Sequence, residues 1–229
     1  MAKYVGETNV LKTVAHPLFA REMLVPEDYK FYGNGAERAK FEKAYEWAGA
    51  YKRSRRGSSR VCVLEPFAGA GVLSLIYSHF GFMTRGVEAN SSLFRALEAN
   101  LDEDKTEHSL SNCDNSVFLS QMKSNDMGIN IIDLDAYGSC VPQIVEAARI
   151  LGRGLLFVTA GDIMAGARFK DWSFTKVRYG VDFYGDEQDY PREVLYAFVN
   201  REFRKRGKKT ELLDRFAFRT MCRICVSVS

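Results

Sequence analysis

A chain of 229 residues, 46% of them apolar, can bury a sizeable core, and one compact domain is expected. Its net charge of +3 does not by itself point to a nucleic-acid partner. No apolar run approaches the roughly 20 residues that a membrane span needs, and no charged leader precedes an apolar core, so a soluble, cytoplasmic protein without a membrane partner is expected.

Residues 1–36, punctuated by Pro17, Pro26, Gly33 and Gly35, read as an irregular N-terminal segment, with a single domain over 37–229. A helix follows at 36–53, where Phe41, Tyr45, Ala48 and Tyr51 recur near helical spacing. The stretch 51–60 gathers Lys52, Arg53, Arg55, Arg56 and Arg60, and 201–209 repeats that density of cations. Two local positive fields in a near-neutral chain suit substrate phosphates. After the first of them the rhythm turns to strand then helix. Strands are predicted at 60–66, 82–89, 108–114, 129–135 and 153–160, with helices at 72–80, 91–101, 116–124 and 141–151 between them; Ser91 or Ser92 is the expected cap of the second of these helices. Such alternation predicts an α/β fold, doubly wound, with a mostly parallel Rossmann-like sheet and helices on both faces.

The five cysteines, Cys62, Cys113, Cys140, Cys222 and Cys225, are scattered and odd in number, which argues for reduced thiols. Cys222 and Cys225 lie in a strand-like run, where positions three apart point to opposite faces. Core residues, with no metal, are expected.

In a doubly wound sheet, ligands gather beyond the carboxyl ends of the strands. Four successive strands here end on acids: Glu65, Glu88, Asp114 and the pair Asp133 and Asp135. The first is followed by Phe67, Gly69 and Gly71, a loop whose glycines allow a tight turn and close approach of a ligand. Glu88, 19 positions beyond Gly69, suits paired ribose hydroxyls. A dinucleotide competes on this spacing, but Glu65 would repel a pyrophosphate and welcome a ligand bearing an ammonium group.

The stretch Glu65–Gly71 resembles the first motif of class I S-adenosylmethionine-dependent methyltransferases. That resemblance implies S-adenosyl-L-methionine as cofactor, with Glu65, Phe67, Gly69 and Gly71 at its methionine end. It further implies Glu88 with neighbouring Ala89 at the ribose, and Asp114 with the backbone at Asn115 at the adenine. The run Asp133-Leu134-Asp135-Ala136-Tyr137-Gly138-Ser139 is similar to the fourth motif of the tRNA guanine-N2 dimethyltransferases, Asp-Leu-Asp-Pro-aromatic-Gly-Ser. The run 154–162, Gly-Leu-Leu-Phe-Val-Thr-Ala-Gly-Asp, resembles that family's next strand, with Gly161 replacing its second Thr. Weaker echoes lie at 177–180 and at 219–228. Phe31 and Tyr32 are similar to an aromatic segment that completes the family's base pocket.

The family implies methylation of an exocyclic base amine, guanine N2 in tRNA. Asp135 and the Ala136 carbonyl would accept the amine protons and Tyr137 would stack on the base, while Phe31, Tyr32, Arg53, Arg55 and Arg56 would bind substrate. Asp133 would support the loop. Three departures stand out: Ala136 in place of proline, a glycine loop of the general class, and a chain that stops where the family continues into a C-terminal RNA-binding domain.

Rivals remain. An amino-directed DNA methyltransferase carries Asp-Pro-Pro-Tyr, in which the aromatic follows the Asp one residue later than it does in Asp135–Gly138. A cytosine-C5 enzyme needs a Pro-Cys nucleophile, and here Cys140 precedes Pro142 in the wrong order. A catalytically inactive S-adenosylmethionine-binding interaction module is permitted by Ala136. Oligomeric state is not legible.

Overall fold

The computed structural model describes residues 10–29, 35–55, 60–102, 104–126, 128–218 and 221–229. Its strands are β1 (Leu11–Ala15), β2 (Glu22–Pro26), β3 (Cys62–Glu65), β4 (Met83–Val87), β5 (His108–Ser111), β6 (Ile131–Asp135), β7 (Gly154–Ala160), β8 (Thr210–Phe218) and β9 (Met221–Val228). The helices are α1 (Gly35–Ser54), α2 (Val72–His79), α3 (Ser91–Asp102), α4 (Asn115–Gln121), α5 (Val141–Ile150), α6 (Ile163–Phe169), α7 (Ser173–Tyr179) and α8 (Ala197–Arg204), the last preceded by a π-helical turn at Pro191–Tyr196. Seven strands form one sheet in the order β5-β4-β3-β6-β7-β9-β8. The β4–β5, β3–β6 and β6–β7 pairs are parallel, and β9 runs antiparallel to both β7 and β8. The α/β reading is therefore correct, including its mostly parallel sheet.

The described residues form two compact units, Met1–Arg60 with Ala68–Asp114, and Val61–Phe67 with Asn115–Ser229.

In the first unit, the lead read as irregular needs correction in its described part. β1 and β2 form an antiparallel hairpin with Leu11 opposite Pro26 and Ala15 opposite Glu22. Met23 and Val25 on β2 are buried, whereas β1 is partly exposed, so the alternation that marks a half-buried strand is carried by one short strand only. Asn100 of α3 latches the hairpin. Its amide accepts from Leu24 N at 2.6 Å and donates to Leu24 O at 2.8 Å and to Ala70 O at 2.8 Å. The cap of α3 is also corrected, from Ser91 or Ser92 to Asn90, whose Oδ1 accepts from Ser92 N at 2.9 Å and Leu93 N at 3.0 Å.

In the second unit, β6 and β7 are buried along nearly their whole length, as expected of central strands covered on both faces. β9 is buried likewise, which is why Cys222 and Cys225 are both core residues although they point to opposite faces. Burial pushes the Cys225 thiol up to about 12 and that of Cys222 well above its ordinary value. Among the described residues no His, Cys, Asp and Glu group could hold a metal, and no helix is long and apolar enough to cross a membrane.

Candidate active site

The glycine loop is built in the first unit from left-handed backbone. Gly69 has φ +56° and Gly71 has φ +89°, values that side-chain-bearing residues rarely adopt. The two glycines do different work. A Cβ on Gly71 would lie 2.9 Å from Leu97 Cδ1, so this glycine lets the loop pack on α3. A Cβ on Gly69 would meet nothing within 4 Å, so its backbone faces open space. The loop then feeds α2, and Leu75 N donates to Gly71 O at 2.9 Å.

Glu88 stands one residue past β4, half-buried. Its Oε2 accepts from Gly69 N at 2.9 Å and its Oε1 from Asn90 N at 2.8 Å. The carboxylate is thereby oriented by the loop it serves, and each oxygen keeps a further lone pair. Asn112 Nδ2 donates to Glu88 O at 2.7 Å, tying the residues after β5 to those after β4. Ala89 and Asp114 are exposed nearby in sequence. An open backbone at Gly69 and a prealigned carboxylate fit a nucleoside-bearing ligand with a close-lying polar tail.

The loop after β6 belongs to the second unit. Glu65 at the end of β3 is buried, Phe67 is half-buried, and Asn115 Oδ1 accepts from Gln143 Nε2 at 2.9 Å. Asp135 closes β6 half-buried, Ala136 is buried, and Tyr137 is 78% exposed. Tyr137 is thus not a core residue. Asp135 is not the cap of α5 either: the cap position belongs to Cys140, without a side-chain hydrogen bond. The loop is seated on Gly161, whose N–H donates to Gly138 O at 3.2 Å. A Cβ on Gly161 would fall 2.2 Å from the Tyr137 carbonyl oxygen. The glycine standing where the related strand has threonine is therefore required by the path of this loop.

Four side chains around this loop, Arg223, Asp162, Tyr179 and Tyr190, were given no role in the sequence reading. Arg223 of β9 is fully buried; its Nη2 donates to Asp133 Oδ2 at 2.6 Å and its Nη1 to Thr159 Oγ1 at 2.6 Å. Asp162, next to Gly161, accepts from the Tyr179 hydroxyl at 2.6 Å and the Tyr190 hydroxyl at 3.3 Å. Burial, reinforced by neighbouring acidic groups, pushes both phenols well above their ordinary range, so they remain donors. A lone arginine inside the apolar run 221–228 was the available signal for Arg223.

Of the predicted substrate cations, Arg53 lies near the end of α1 and is exposed, while the Arg55 guanidinium lies 5.7 Å from the Tyr51 ring. Phe31, Tyr32 and Arg56 lie outside the described residues. The second basic run is partly committed to the fold: Arg201 and Lys205 pair with Glu202 at 3.1 and 2.8 Å, and Lys208 Nζ donates to Ala148 O at 2.7 Å and Leu151 O at 2.9 Å.

A family profile described as "TRM: N2,N2-dimethylguanosine tRNA methyltransferase" matches residues 22–176, well over half of the chain. The chain belongs to the N2,N2-dimethylguanosine tRNA methyltransferase family. A sequence search of curated proteins found no match. Among solved structures, Trm1 from Pyrococcus horikoshii with S-adenosyl-L-methionine superposes with a TM-score of 0.71 at 16% identity, over 96% of this chain and 62% of that one. The chain thus spans less than two thirds of that relative's length. TYW2 from P. horikoshii in complex with MeSAdo gives 0.65 at 14% identity, over 96% of this chain and 72% of that one. Trm5b from Pyrococcus abyssi gives 0.56 at 13%, over 96% and 63%. At these identities the structural likeness establishes the Rossmann-like methyltransferase fold of this family member.

Proposed function

We propose that this family member moves a methyl group from S-adenosyl-L-methionine to an exocyclic amine of a nucleic-acid base, guanine N2 in tRNA. The observation that carries the reading is the loop after β6. It sets a half-buried carboxylate, Asp135, two residues before an aromatic ring that is 78% exposed, on a backbone seated against Gly161.

Bound S-adenosylmethionine supplies an electrophilic methyl group on a sulfonium. Glu88 would hold its ribose hydroxyls and Gly69 its methionine portion, an end to which the family resemblance also assigns Glu65 and Phe67. Asp114, with the backbone at Asn115, would read its adenine. An exocyclic amine is a poor nucleophile, because its lone pair is delocalised into the ring. Asp135 and the Ala136 carbonyl would accept hydrogen bonds from its two N–H groups, which localises electron density on the nitrogen and fixes its direction. Tyr137 replaces the stacking that the base loses on leaving its helix, a contact worth about 1–3 kcal/mol. Catalysis is then positioning and electrostatics more than proton abstraction. Cations at Arg53 and Arg55, with Arg56, and the aromatics Phe31 and Tyr32 contribute to substrate binding in this reading.

The test is incubation with labelled cofactor and separate tRNA, rRNA and DNA pools, followed by digestion to nucleosides. Label in N2-methylated guanosine from tRNA is expected; label in DNA adenine or cytosine would favour the amino-directed DNA enzyme, and cofactor binding without any transfer would favour an inactive module. Asp135→Asn should keep the fold and cofactor affinity but lose most turnover, since an amide presents a donor where an acceptor is needed. Tyr137→Ala should lose substrate binding as well. Wild-type turnover by Asp135→Asn would remove the assignment.

A further inference from the structure

The second unit holds an ionic row that has no business in an apolar sheet unless something uses it. Asp135, Thr159 and Arg223 are direct cross-strand neighbours on β6, β7 and β9: Asp135 pairs in register with Thr159, and Thr159 with Arg223. Asp133, two residues earlier on β6, shares the face of Asp135. The Arg223 guanidinium is fully buried and sits among them. It reaches Asp133 Oδ2 at 2.6 Å, Thr159 Oγ1 at 2.6 Å and Asp135 Oδ1 at 3.7 Å, with the Phe157 ring 5.6 Å away. Asp133 and Arg223 have side chains without solvent exposure, whereas that of Asp135 is 16% exposed. The row therefore runs from the dry interior of the sheet to the one carboxylate that emerges at the strand end.

Its energetics argue against a purely stabilising role. Burying an ion pair carries a desolvation cost that the mutual attraction commonly fails to exceed, and apolar replacements of the whole pair are often neutral or better. What a planar guanidinium offers that an apolar side chain does not is a rigid fork able to fix two carboxylates at once. Asp133 balances its charge on one arm; the other arm, Nη1, donates to Thr159 Oγ1 and from there stands in ionic contact with Asp135 Oδ1.

Resting on the reading of Asp135 as the amine acceptor, we propose that Arg223 is a positioning residue that fixes the Asp135 carboxylate in its accepting orientation. It touches neither substrate nor cofactor. It acts on the reaction through Asp135 alone, with Asp133 and Thr159 holding the guanidinium in place.

The experiment is a double-mutant cycle with Arg223→Lys and Asp135→Asn, measured by single turnover at excess enzyme on the nucleic-acid pool that accepts the methyl group. A lysine keeps one ionic contact to Asp133 but lacks the fork. Arg223→Lys is expected to lower the methyl-transfer rate between about 10- and 100-fold, the scale of a misdirected catalytic group, while substrate KM and cofactor Kd change less than about twofold. In the Asp135→Asn background the same substitution is expected to have no further effect. As a second variant, Asp133→Asn with Arg223→Met removes the buried pair together and leaves Asp135 without its guide. It is expected to bind cofactor normally and to turn over as slowly as Arg223→Lys. Wild-type rates for either variant, or an equal fold loss from Arg223→Lys in both backgrounds, would overturn the proposal while leaving the Asp135 assignment standing. Undiminished turnover by Asp135→Asn alone would instead remove the assignment, and the positioning role with it.

Discussion

In the proposed reading Glu88 holds both a ligand and the loop around it. Its carboxylate accepts from the Gly69 and Asn90 N–H groups, so removing it frees the glycine loop and, under the proposed function, also unpairs the ribose hydroxyls. Glu88→Ala should weaken cofactor binding by roughly 1–3 kcal/mol, and Glu88→Gln, which keeps one acceptor oxygen, should lose less. Calorimetry on the two variants checks this, and equal losses would mean that loop orientation outweighs the ribose contact. The place of Glu88 at the strand end beside the glycine loop was legible in the sequence because its reach is local: a strand, a glycine loop and an acid at a fixed distance. Arg223 was not legible. Its partner Asp133 lies 90 positions away, and only the antiparallel pairing of β9 with β7 brings them together. Gly161 stands between these cases. The sequence marks it as a departure, but only the Tyr137 carbonyl at 2.2 Å from its would-be Cβ explains why glycine is needed.

The same division holds for elements. The five alternating strands and four helices over 60–160 were readable from periodicity, because parallel strands covered on both faces are nearly continuous apolar runs bounded by breaks. The hairpin β1–β2 was not, since its strands are only five residues each and its order derives from Asn100 of a distant helix. The basic run at 201–209 was legible only in part, because charge density on paper does not say which cations face inward. Lys208 donates to the Ala148, Arg149 and Leu151 carbonyls at the end of α5, where helix carbonyls lack intrahelical partners and a positive charge is favoured by the dipole. Lys208→Met should therefore destabilise the protein by about 1–2 kcal/mol in denaturant unfolding, with the salt dependence of the proposed nucleic-acid binding unchanged. A flattened salt slope with undiminished stability would return Lys208 to the phosphate-binding surface.

For the whole chain, a net charge of +3 leaves little global field, so acid sensitivity should trace to individual buried groups. His16 is one of these. It is 4% exposed, and its Nδ1 faces two donors, Leu18 N at 3.1 Å and Phe19 N at 3.2 Å, while Nε2 lies 3.3 Å from Val72 O. That network assigns the proton to Nε2 and leaves Nδ1 as an acceptor. Protonating Nδ1 would set a third donor against the other two. Burial, with a smaller contribution from the Arg21 charge, lowers the pKa of His16 from its ordinary value of 6.5. The unfolded chain then binds the proton more readily than the folded one. The stability that His16 contributes is fully present above about pH 6.5 and declines as pH falls below it, down to the depressed folded value. Because Val72 opens the helix behind the glycine loop, the contact also ties the hairpin turn to the proposed cofactor loop within the first unit. Thermal unfolding between pH 7.5 and 5.5, roughly one unit either side of the free imidazole value, should show a steeper loss for the wild type than for His16→Gln. The variant should be less stable at the upper pH and converge on the wild type at the lower one. Parallel curves would show that His16 keeps the same charge in both states and that the acid response lies with the carboxylates.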